Sequence, residues 1–247
     1  MDVKHYLDST YLKTAEQANL SEEKNTEVVA AYIQEAIDHH FKLIMIRPDK
    51  VALAKEMVLN SKSQLTIGTV IDFPNGDGSL ENKLKEANLA IQNGADDLDF
   101  VVDYKAFINE EFDKVKKQVL EGTELGLQHH KIVKWIIEVA ALNDHQIIQL
   151  SVLIKNVIIA NFKEADYEKV FVKSSTGFYK TPEGVPNGAT LHTIKLMLEN
   201  SFPLSVKAAG GVRTYQEAVE MINLGVKRIG TSAAKAIANG EDASNGY

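Results

Sequence analysis

The chain has 247 residues, of which 45% are hydrophobic and 25% are charged, and its formal net charge is −7. Acidic and basic residues are interspersed and form no basic stripe, so we expect no nucleic-acid partner. The chain contains no cysteine. This excludes a disulfide framework, a thiolate metal site and a cysteine nucleophile, and it predicts a cytoplasmic location.

No segment has the pattern of a leader peptide or a membrane anchor. Residues 1–13 lack the apolar core of a signal peptide. The most hydrophobic stretch, residues 147–162, is interrupted by Gln149, Lys155 and Asn156. It is also shorter than the roughly 20 residues that a membrane span needs. We therefore expect no membrane association and interpret this stretch as a buried helix.

Eight short apolar runs, separated by longer amphipathic segments, follow one another along the chain. The runs predict strands at residues 6–9, 43–46, 65–71, 97–102, 133–138, 169–174, 204–208 and 227–230. One of the intervening helical segments ends at Asn93-Gly94. Another begins with a capping box between Thr214 and Glu217 and stops at Gly225.

This alternation predicts a parallel sheet covered by helices. Eight strands, each followed by a helix-sized connection, indicate a single (β/α)8 TIM barrel, an α/β domain that covers residues 1–247. A doubly wound open sheet is the alternative, but eight regular units leave it no clear switch point. In a barrel, functional side chains lie at the carboxyl ends of the strands, and phosphate binds after strands seven and eight.

Two lysines end neighbouring predicted strands, Lys173 the sixth and Lys207 the seventh. Alone, Lys173 is best interpreted as a side chain that snorkels outward or pairs with an acid. The second lysine changes this interpretation, because a neighbouring cation lowers the pKa of an amine, as burial also does. Together the two lysines favour a neutral, nucleophilic amine.

Two carboxylates lie within predicted strands. Asp99 is flanked by Leu98 and Phe100, and alternation places it on the same face as Asp97. A carboxylate in this position must be paired or functional, and opposite two lysines it could be both. Asp8 occupies a similar position on the first strand, where a structural ion pair with one of the lysines and a catalytic role are equally supported.

Glycines near the ends of the last two strands indicate an anion site. Gly210 and Gly211 follow the seventh predicted strand, Gly230 ends the eighth, and the next helix is expected to begin at Ser232. Glycine lets backbone N–H groups approach an anion, although turns use glycine generally. The position of these glycines after strands seven and eight predicts a phosphate site.

The histidine pairs His39-His40 and His129-His130 lie at predicted helix ends, where neighbouring residues face different directions. We expect them on the surface and predict no metal site.

On the fifth predicted strand, Trp135 is expected in the core. Lys134 and Glu138 on that strand either face the mouth or form a mutual or structural ion pair, and the ion pair is the favoured interpretation.

Six motifs occur in a fixed order along nearly the whole chain: Asp8-Ser9-Thr10-Tyr11-Leu12-Lys13, Phe73-Pro74-Asn75-Gly76, Gly94-Ala95-Asp96-Asp97-Leu98-Asp99, Val172-Lys173-Ser174-Ser175-Thr176-Gly177-Phe178, Val206-Lys207-Ala208-Ala209-Gly210-Gly211-Val212-Arg213-Thr214 and Arg228-Ile229-Gly230-Thr231-Ser232. In residues and in order, they resemble the motifs of the deoxyribose-phosphate aldolase family. The two lysine-containing motifs are the most specific.

The resemblance implies a class I (Schiff-base) aldolase. Such an enzyme reversibly cleaves 2-deoxy-D-ribose 5-phosphate to D-glyceraldehyde 3-phosphate and acetaldehyde, without a metal or other cofactor. The resemblance implies that Lys173 forms the Schiff base and that Lys207 lowers its pKa. It also implies that Asp99 transfers protons and that Asp8 holds the network around Lys207.

The resemblance further implies a phosphate site formed by Gly177, Gly210, Gly211, Gly230 and Ser232. A C-terminal tyrosine takes part in proton transfer in the family, and Tyr247 matches it only in being the last residue. The partners implied are phosphorylated sugar and aldehyde substrates, and a homodimer is the hypothesis for the assembly.

The chain departs from the family pattern at four places. Ala233 replaces a frequent second serine, and Met45 stands where many relatives carry a cysteine. The usual Glu-Thr-Gly-Glu-Leu reads Glu138-Val139-Ala140-Ala141-Leu142, and the loop after Phe178 is longer than usual. These departures bear on phosphate contacts and on the preference for the acceptor aldehyde.

Two other functions compete with the aldolase. Another phosphate-binding barrel enzyme, such as a sugar-phosphate isomerase or synthase, would explain the glycines but not Lys173, Lys207 and Asp99. A catalytically silent metabolite-binding barrel would have no reason to keep buried lysines close together.

Overall fold

The computed structural model describes residues 1–241. Eight parallel strands close into a barrel, each paired with its neighbours in chain order. They are β1 (Leu7–Thr10), β2 (Leu43–Ile46), β3 (Thr66–Ile71), β4 (Asp97–Val101), β5 (Ile132–Ile136), β6 (Val170–Lys173), β7 (Ser205–Ala209) and β8 (Arg228–Thr231). The predicted TIM barrel is confirmed, and the prediction of one domain over residues 1–247 extends beyond the described residues.

Helices lie between the strands. They are α1 (Ala15–Ala18), α2 (Glu22–Asp38), α3 (Val51–Ser61), α4 (Leu80–Gln92), α5 (Tyr104–Ile108), α6 (Phe112–Gln128), α7 (Asp144–Asn161), α8 (Leu191–Ser201), α9 (Tyr215–Leu224) and α10 (Ala234–Asn239). Residues 147–161 of the hydrophobic stretch lie in α7, so the predicted helix is confirmed, but only one of its faces is buried and Ile159 is exposed. Within residues 1–241, no helix combines the length and the apolar composition needed to cross a membrane.

The local signals at the start and end of α9 are confirmed. Thr214 Oγ1 accepts a hydrogen bond from Glu217 N at 3.1 Å, and Glu217 Oε2 accepts one from Thr214 N at 3.0 Å. Gly225 caps the helix with φ 115°, a conformation that glycine adopts without steric cost. The reciprocal hydrogen bonds between Thr214 and Glu217 satisfy backbone N–H groups that the first turn of a helix leaves free.

Only the second strand matches its predicted bounds at both ends; the other strands differ by one or two residues, and two wrong boundaries bear on the site. The fifth strand ends at Ile136, so Glu138 lies beyond it, with φ 57° in the left-handed region. The last helix begins at Ala234 rather than at Ser232. The reason is a turn at the end of β8, where Thr231 Oγ1 accepts a hydrogen bond from Ala233 N at 3.0 Å.

The outward face of the barrel packs against the helices and forms the main core. Trp135 is fully buried there, stacked on Phe100 with ring centroids 4.9 Å apart. Its Nε1 donates to Thr123 Oγ1 of α6 at 3.0 Å. The predicted core position of Trp135 is confirmed, in the layer between β5 and α6.

The inward face is divided into an apolar half and a charged half. Strands β2 and β3 contribute Leu43, Met45 and Val70, which pack together with Leu12. The other strands contribute seven charged side chains, each at most 6% exposed: Asp8, Asp97, Asp99, Lys134, Lys173, Lys207 and Arg228. Alternation along each strand separates these residues from the outer core.

Candidate active site

A cavity opens at the carboxyl ends of the strands, where a TIM barrel places its chemistry. Its lining comes from β1, β6, β7, β8 and the segments that follow them: Thr10, Leu12, Lys173, Thr176, Gly177, Phe178, Asn187, Ala209, Gly210, Gly211, Val212, Arg213, Gly230, Thr231 and Ser232. Of the four predicted catalytic side chains, Lys173 lines this cavity, whereas Asp8, Asp99 and Lys207 lie beside it in the barrel interior.

Lys173 and Lys207 are direct partners in the pairing of β6 with β7. Both ammonium groups reach one oxygen of Asp99: Lys173 Nζ lies 2.8 Å and Lys207 Nζ 2.9 Å from Asp99 Oδ2. The structure therefore brings together the three predicted residues, with Lys173 at the end of β6 and with Asp99 and Lys207 inside β4 and β7.

Burial lowers the pKa of Lys173 to about 8; Asp99 opposes this shift, and the charges of Lys207 and Lys134 add to it. An unperturbed lysine is neutral in only about one molecule in two thousand at pH 7, whereas a pKa near 8 leaves about one in ten neutral. The proposed effect of Lys207 is present, but burial is the larger cause. For Asp99, burial is outweighed by Lys134, Lys173 and Lys207, which hold its pKa well below the usual range.

Asp8 lies deeper in the barrel than the cavity lining and is fully buried. Its Oδ2 is 2.6 Å from Lys207 Nζ, and its Oδ1 is 2.6 Å from Arg228 Nη2. Burial disfavours its charge, yet the nearby Arg228 and Lys207 keep its pKa below the ordinary value. The contact with Lys207 is the one that the sequence suggested, and the contact with Arg228 is additional.

Lys134 and Glu138 do not pair with each other. Lys134 Nζ instead contacts Asp97 Oδ2 at 2.6 Å and Asp99 Oδ1 at 2.8 Å. Lys134 therefore forms a structural ion pair, but with these two aspartates. Glu138 accepts hydrogen bonds from the hydroxyl and the backbone N–H of Thr176, which lines the cavity. The two residues separate because β5 ends before Glu138.

Six of the charged side chains form a closed ring of alternating sign. The contacts run from Asp97 to Lys134, Asp99, Lys207, Asp8, Arg228 and back to Asp97, at distances between 2.6 and 3.5 Å. We call these six residues the charge ring. Lys173 is attached to it through Asp99. Arg228 and Lys134 were missed as site residues, because their strands do not reveal from sequence which acids they meet.

The glycine-rich end of the cavity is formed by three loops. Gly177, Gly210 and Gly211 have φ of 79°, 81° and 94°, which residues with a side chain rarely adopt. Thr231 Oγ1 donates to Val212 O at 2.8 Å and so joins the segments after β7 and β8. This conformation leaves backbone groups of these loops around the cavity, as an anion site requires.

The structure adds two details to the predicted phosphate site. Gly230 lines the cavity, as predicted, and a Cβ on it would come within 3.1 Å of Lys207 Cε, so its lack of a side chain also leaves space for Lys207. Arg213 lines the same cavity and was missed, although it stands two residues after Gly211 in the same motif. Ser232 lines the cavity as predicted.

The opposite side of the cavity is apolar. Phe178, which lines it, packs edge-on against Phe73 with ring centroids 5.0 Å apart. The Arg47 guanidinium lies 4.9 Å from the Phe73 ring centre, and its Nε donates to the carbonyl of Leu12 at 2.7 Å. Arg47 thereby joins the segments that follow β1, β2 and β3.

The first histidine of each pair, His39 or His129, is the C-cap of α2 or α6. The second, His40 or His130, has a backbone conformation in the left-handed region. In residues 1–241, no three histidine, aspartate or glutamate side chains form a metal-binding group. Tyr247 lies outside the described residues.

Comparison with known proteins gives consistent relatives. A deoxyribose-phosphate aldolase of Thermococcus gammatolerans is 35% identical over 241 residues, which cover 97% of this chain and 96% of the relative. One of Lactococcus lactis subsp. cremoris is 34% identical over the full length of both chains. No family model matches the chain.

Solved structures give the same result. The aldolase QR15 superposes with a TM-score of 0.79 at 30% identity, covering 97% of this chain and 95% of its own. The tetrameric deoxyribose phosphate aldolase of Aeropyrum pernix superposes with a TM-score of 0.76 at 25% identity, covering 96% and 89%. With full-length relatives above 30% identity and a common barrel, the chain belongs to the deoxyribose-phosphate aldolase family.

Proposed function

We propose that this protein is a class I aldolase that reversibly cleaves 2-deoxy-D-ribose 5-phosphate to D-glyceraldehyde 3-phosphate and acetaldehyde. The observation that carries the proposal is Lys173, a buried lysine that lines the cavity and whose pKa is lowered to about 8. A desolvated amine beside a second cation is the arrangement that Schiff-base chemistry needs. The family membership of the chain supports the same reaction.

The reaction begins when the neutral amine of Lys173 adds to the aldehyde carbon of the open-chain sugar. Loss of water gives an iminium ion. The bond between C2 and C3 then breaks as the C3 hydroxyl loses its proton, and the electron pair moves onto C2 to give an enamine. Glyceraldehyde 3-phosphate leaves, C2 takes up a proton, and water releases acetaldehyde and the free lysine.

Proton movement in this scheme depends on Asp99 and Lys207. Asp99 Oδ2 contacts Lys173 Nζ and Lys207 Nζ, so one carboxylate oxygen joins the nucleophile to a second proton carrier. Asp99 stays ionised and its lowered pKa makes it a weak base, so we propose that it serves proton transfer by holding the two lysines in contact rather than by keeping the proton itself. Asp8 has no contact with the cavity, and we propose that it holds Lys207 in place.

The phosphate is proposed to bind at Gly177, Gly210, Gly211, Gly230 and Ser232, with Arg213 beside them. These residues line one end of the cavity that contains Lys173, so one extended substrate can reach both. A guanidinium and free backbone N–H groups are good partners for a phosphate dianion. Gly230 contributes space for Lys207, as its contact distance indicates.

A trapping experiment tests the proposal. The protein is mixed with acetaldehyde and borohydride, digested, and analysed by mass spectrometry. A reduced two-carbon adduct is expected on Lys173, and none in Lys173→Ala. Absence of an adduct would favour the isomerase, synthase or silent-barrel alternatives, and an adduct on another lysine would reject the assignment of the nucleophile.

The assembly and the location of the protein stay predictions. We propose a homodimer, supported in part by the oligomeric state of the Aeropyrum pernix relative, which is a tetramer. Light scattering at several concentrations would reject this proposal by giving the mass of one chain. The cytoplasmic location predicted from the cysteine-free composition can be checked by cell fractionation.

A further inference from the structure

The charge ring and Lys173 differ in how many partners each group has. Each of the six ring members touches two groups of opposite charge in the ring, for example Lys134 between Asp97 and Asp99. Arg228 closes the ring between Asp8 and Asp97, at 2.6 and 3.5 Å. Lys173 has a single acidic partner among the described residues, Asp99.

The ring is electrically neutral by itself, because three carboxylates alternate with three cations. A protonated Lys173 would therefore add a seventh, uncompensated charge to a set of buried side chains. Charge repulsion and desolvation are both strong in such surroundings. The neutral amine removes this excess charge.

We propose that the neutrality of the charge ring acts together with burial to favour the free amine of Lys173, and that Lys134 and Asp97 act as positioning residues through the ring. This inference rests on the proposed Schiff-base function. Neither residue lines the cavity, so both act through Asp99 and Arg228 rather than on the substrate. The function of Lys134 is then to complete the charge balance, not to react.

In the variants described below, the charge balance around Lys173 changes only at the substituted residues. The charged groups that face it come from four elements: Asp99 of β4, Lys134 of β5, Glu138 after β5, and Lys207 of β7, with Asp8 and Arg228 one contact further. Glu138 is held by Thr176, and burial raises its pKa, which favours its neutral form. Glu138 is unchanged in every variant below.

The test uses the pH profile of Schiff-base formation between the whole protein and acetaldehyde, with cyanoborohydride to trap the adduct. Lys134→Met removes a ring cation and should shift the profile by about one pH unit to alkaline pH, with about tenfold less adduct at pH 7. Asp97→Asn removes a ring acid and should shift it by about one unit in the acidic direction. The double variant should return the profile to that of the unaltered protein.

Opposite signs in the single variants and cancellation in the double variant are outcomes that a purely structural role does not produce. Lys116→Met removes an exposed lysine paired with Asp113 and should leave the profile unchanged. If Lys134→Met does not fold, Asp97→Asn and the double variant still give the sign and the cancellation.

Shifts of the same sign, or no shift in any variant, would overturn the inference about the ring. The unaltered protein separates this failure from that of the proposed function. An adduct on its Lys173 with unmoved variant profiles rejects only the ring, whereas no adduct on Lys173 rejects the Schiff-base function itself.

Discussion

Two buried lysines of this protein, Lys173 and Lys83, show opposite uses of the same side chain. Lys83 of α4 is 1% exposed, and its Nζ donates to the carbonyls of Gly76 and Val101, both at 2.7 Å. Gln118 Oε1 also accepts from this ammonium, at 3.3 Å. Lys173 is 3% exposed and lines a cavity.

Burial lowers the pKa of both lysines, so burial alone does not separate a structural ammonium from a nucleophile. The difference lies in the acceptors. The Lys83 ammonium is surrounded by four fixed acceptors, the three oxygens above and the Asp72 carboxylate at 3.3 Å, which favour its charged form. Lys173 has Asp99 as an acceptor, two neighbouring cations that repel its charge, and open space beside it. These conditions together favour a reactive amine.

The largest expected effect is that of Lys173→Ala. We expect complete loss of cleavage and of the trapped adduct, because no other lysine lines the cavity within residues 1–241. Circular dichroism should show a folded barrel, since Lys173 lies outside the charge ring and the substitution leaves the ring complete. Retained activity would mean that the reactive lysine is elsewhere and would break the comparison.

Lys207→Leu tests how much a neighbouring charge contributes to the lowered pKa of Lys173. Its removal takes away a repulsion that lowers the pKa of Lys173 and leaves Asp8 and Asp99 less compensated, so that pKa should rise by about one to two units. Adduct formation at pH 7 should fall by about ten- to hundredfold and recover about tenfold per unit as pH rises.

For the unaltered protein, the adduct rate should be half-maximal near the pKa of Lys173, about 8, and level off above about pH 9, where about nine-tenths of the amine is neutral. The matched control for this series is Lys207→Arg, which keeps the charge and should keep more of the rate at pH 7. Superimposable pH profiles for the unaltered protein and Lys207→Leu would show that Lys207 acts in another way, for instance as a proton donor.

A smaller effect is expected at the phosphate end of the cavity. Gly211→Asp would place a carboxylate near the proposed dianion and should raise KM for the phosphorylated sugar by about tenfold, with little change for free deoxyribose. Gly211→Ala is the control, because it imposes the same backbone strain at φ 94° without a charge. Equal losses with both sugars would locate the phosphate elsewhere.

The smallest effect on catalysis is expected for Lys83→Met. Loss of this ammonium leaves two buried carbonyls without their donor and should lower the free energy of unfolding by about 3 kcal/mol, measured by urea denaturation. The trapped adduct on Lys173 should be unchanged at temperatures where the variant is folded. A loss of trapping in the folded variant would show that the two lysines are coupled.

The sequence determined the architecture and the chemical identity of the site. Eight apolar runs separated by amphipathic segments are a local signal, since burial on both faces of a parallel strand requires continuous hydrophobic residues. The capping box at Thr214 is equally local, and it was confirmed. Lys173 and Lys207 could be placed side by side because they lie on adjacent parallel strands of a barrel, although Lys207 lies two residues before the end of β7.

Only the tertiary structure decided which charges meet. Asp8 and Arg228 are separated by 220 positions, yet Arg228 Nε donates to Asp8 Oδ1 at 2.7 Å because β1 and β8 close the barrel side by side. The structural ion pair predicted for Lys134 is present, but its partners, Asp97 and Asp99, lie on the neighbouring strand β4 rather than at Glu138. Alternation fixes the face of each side chain, whereas the closure of the barrel and its register fix the distances between charges on different strands.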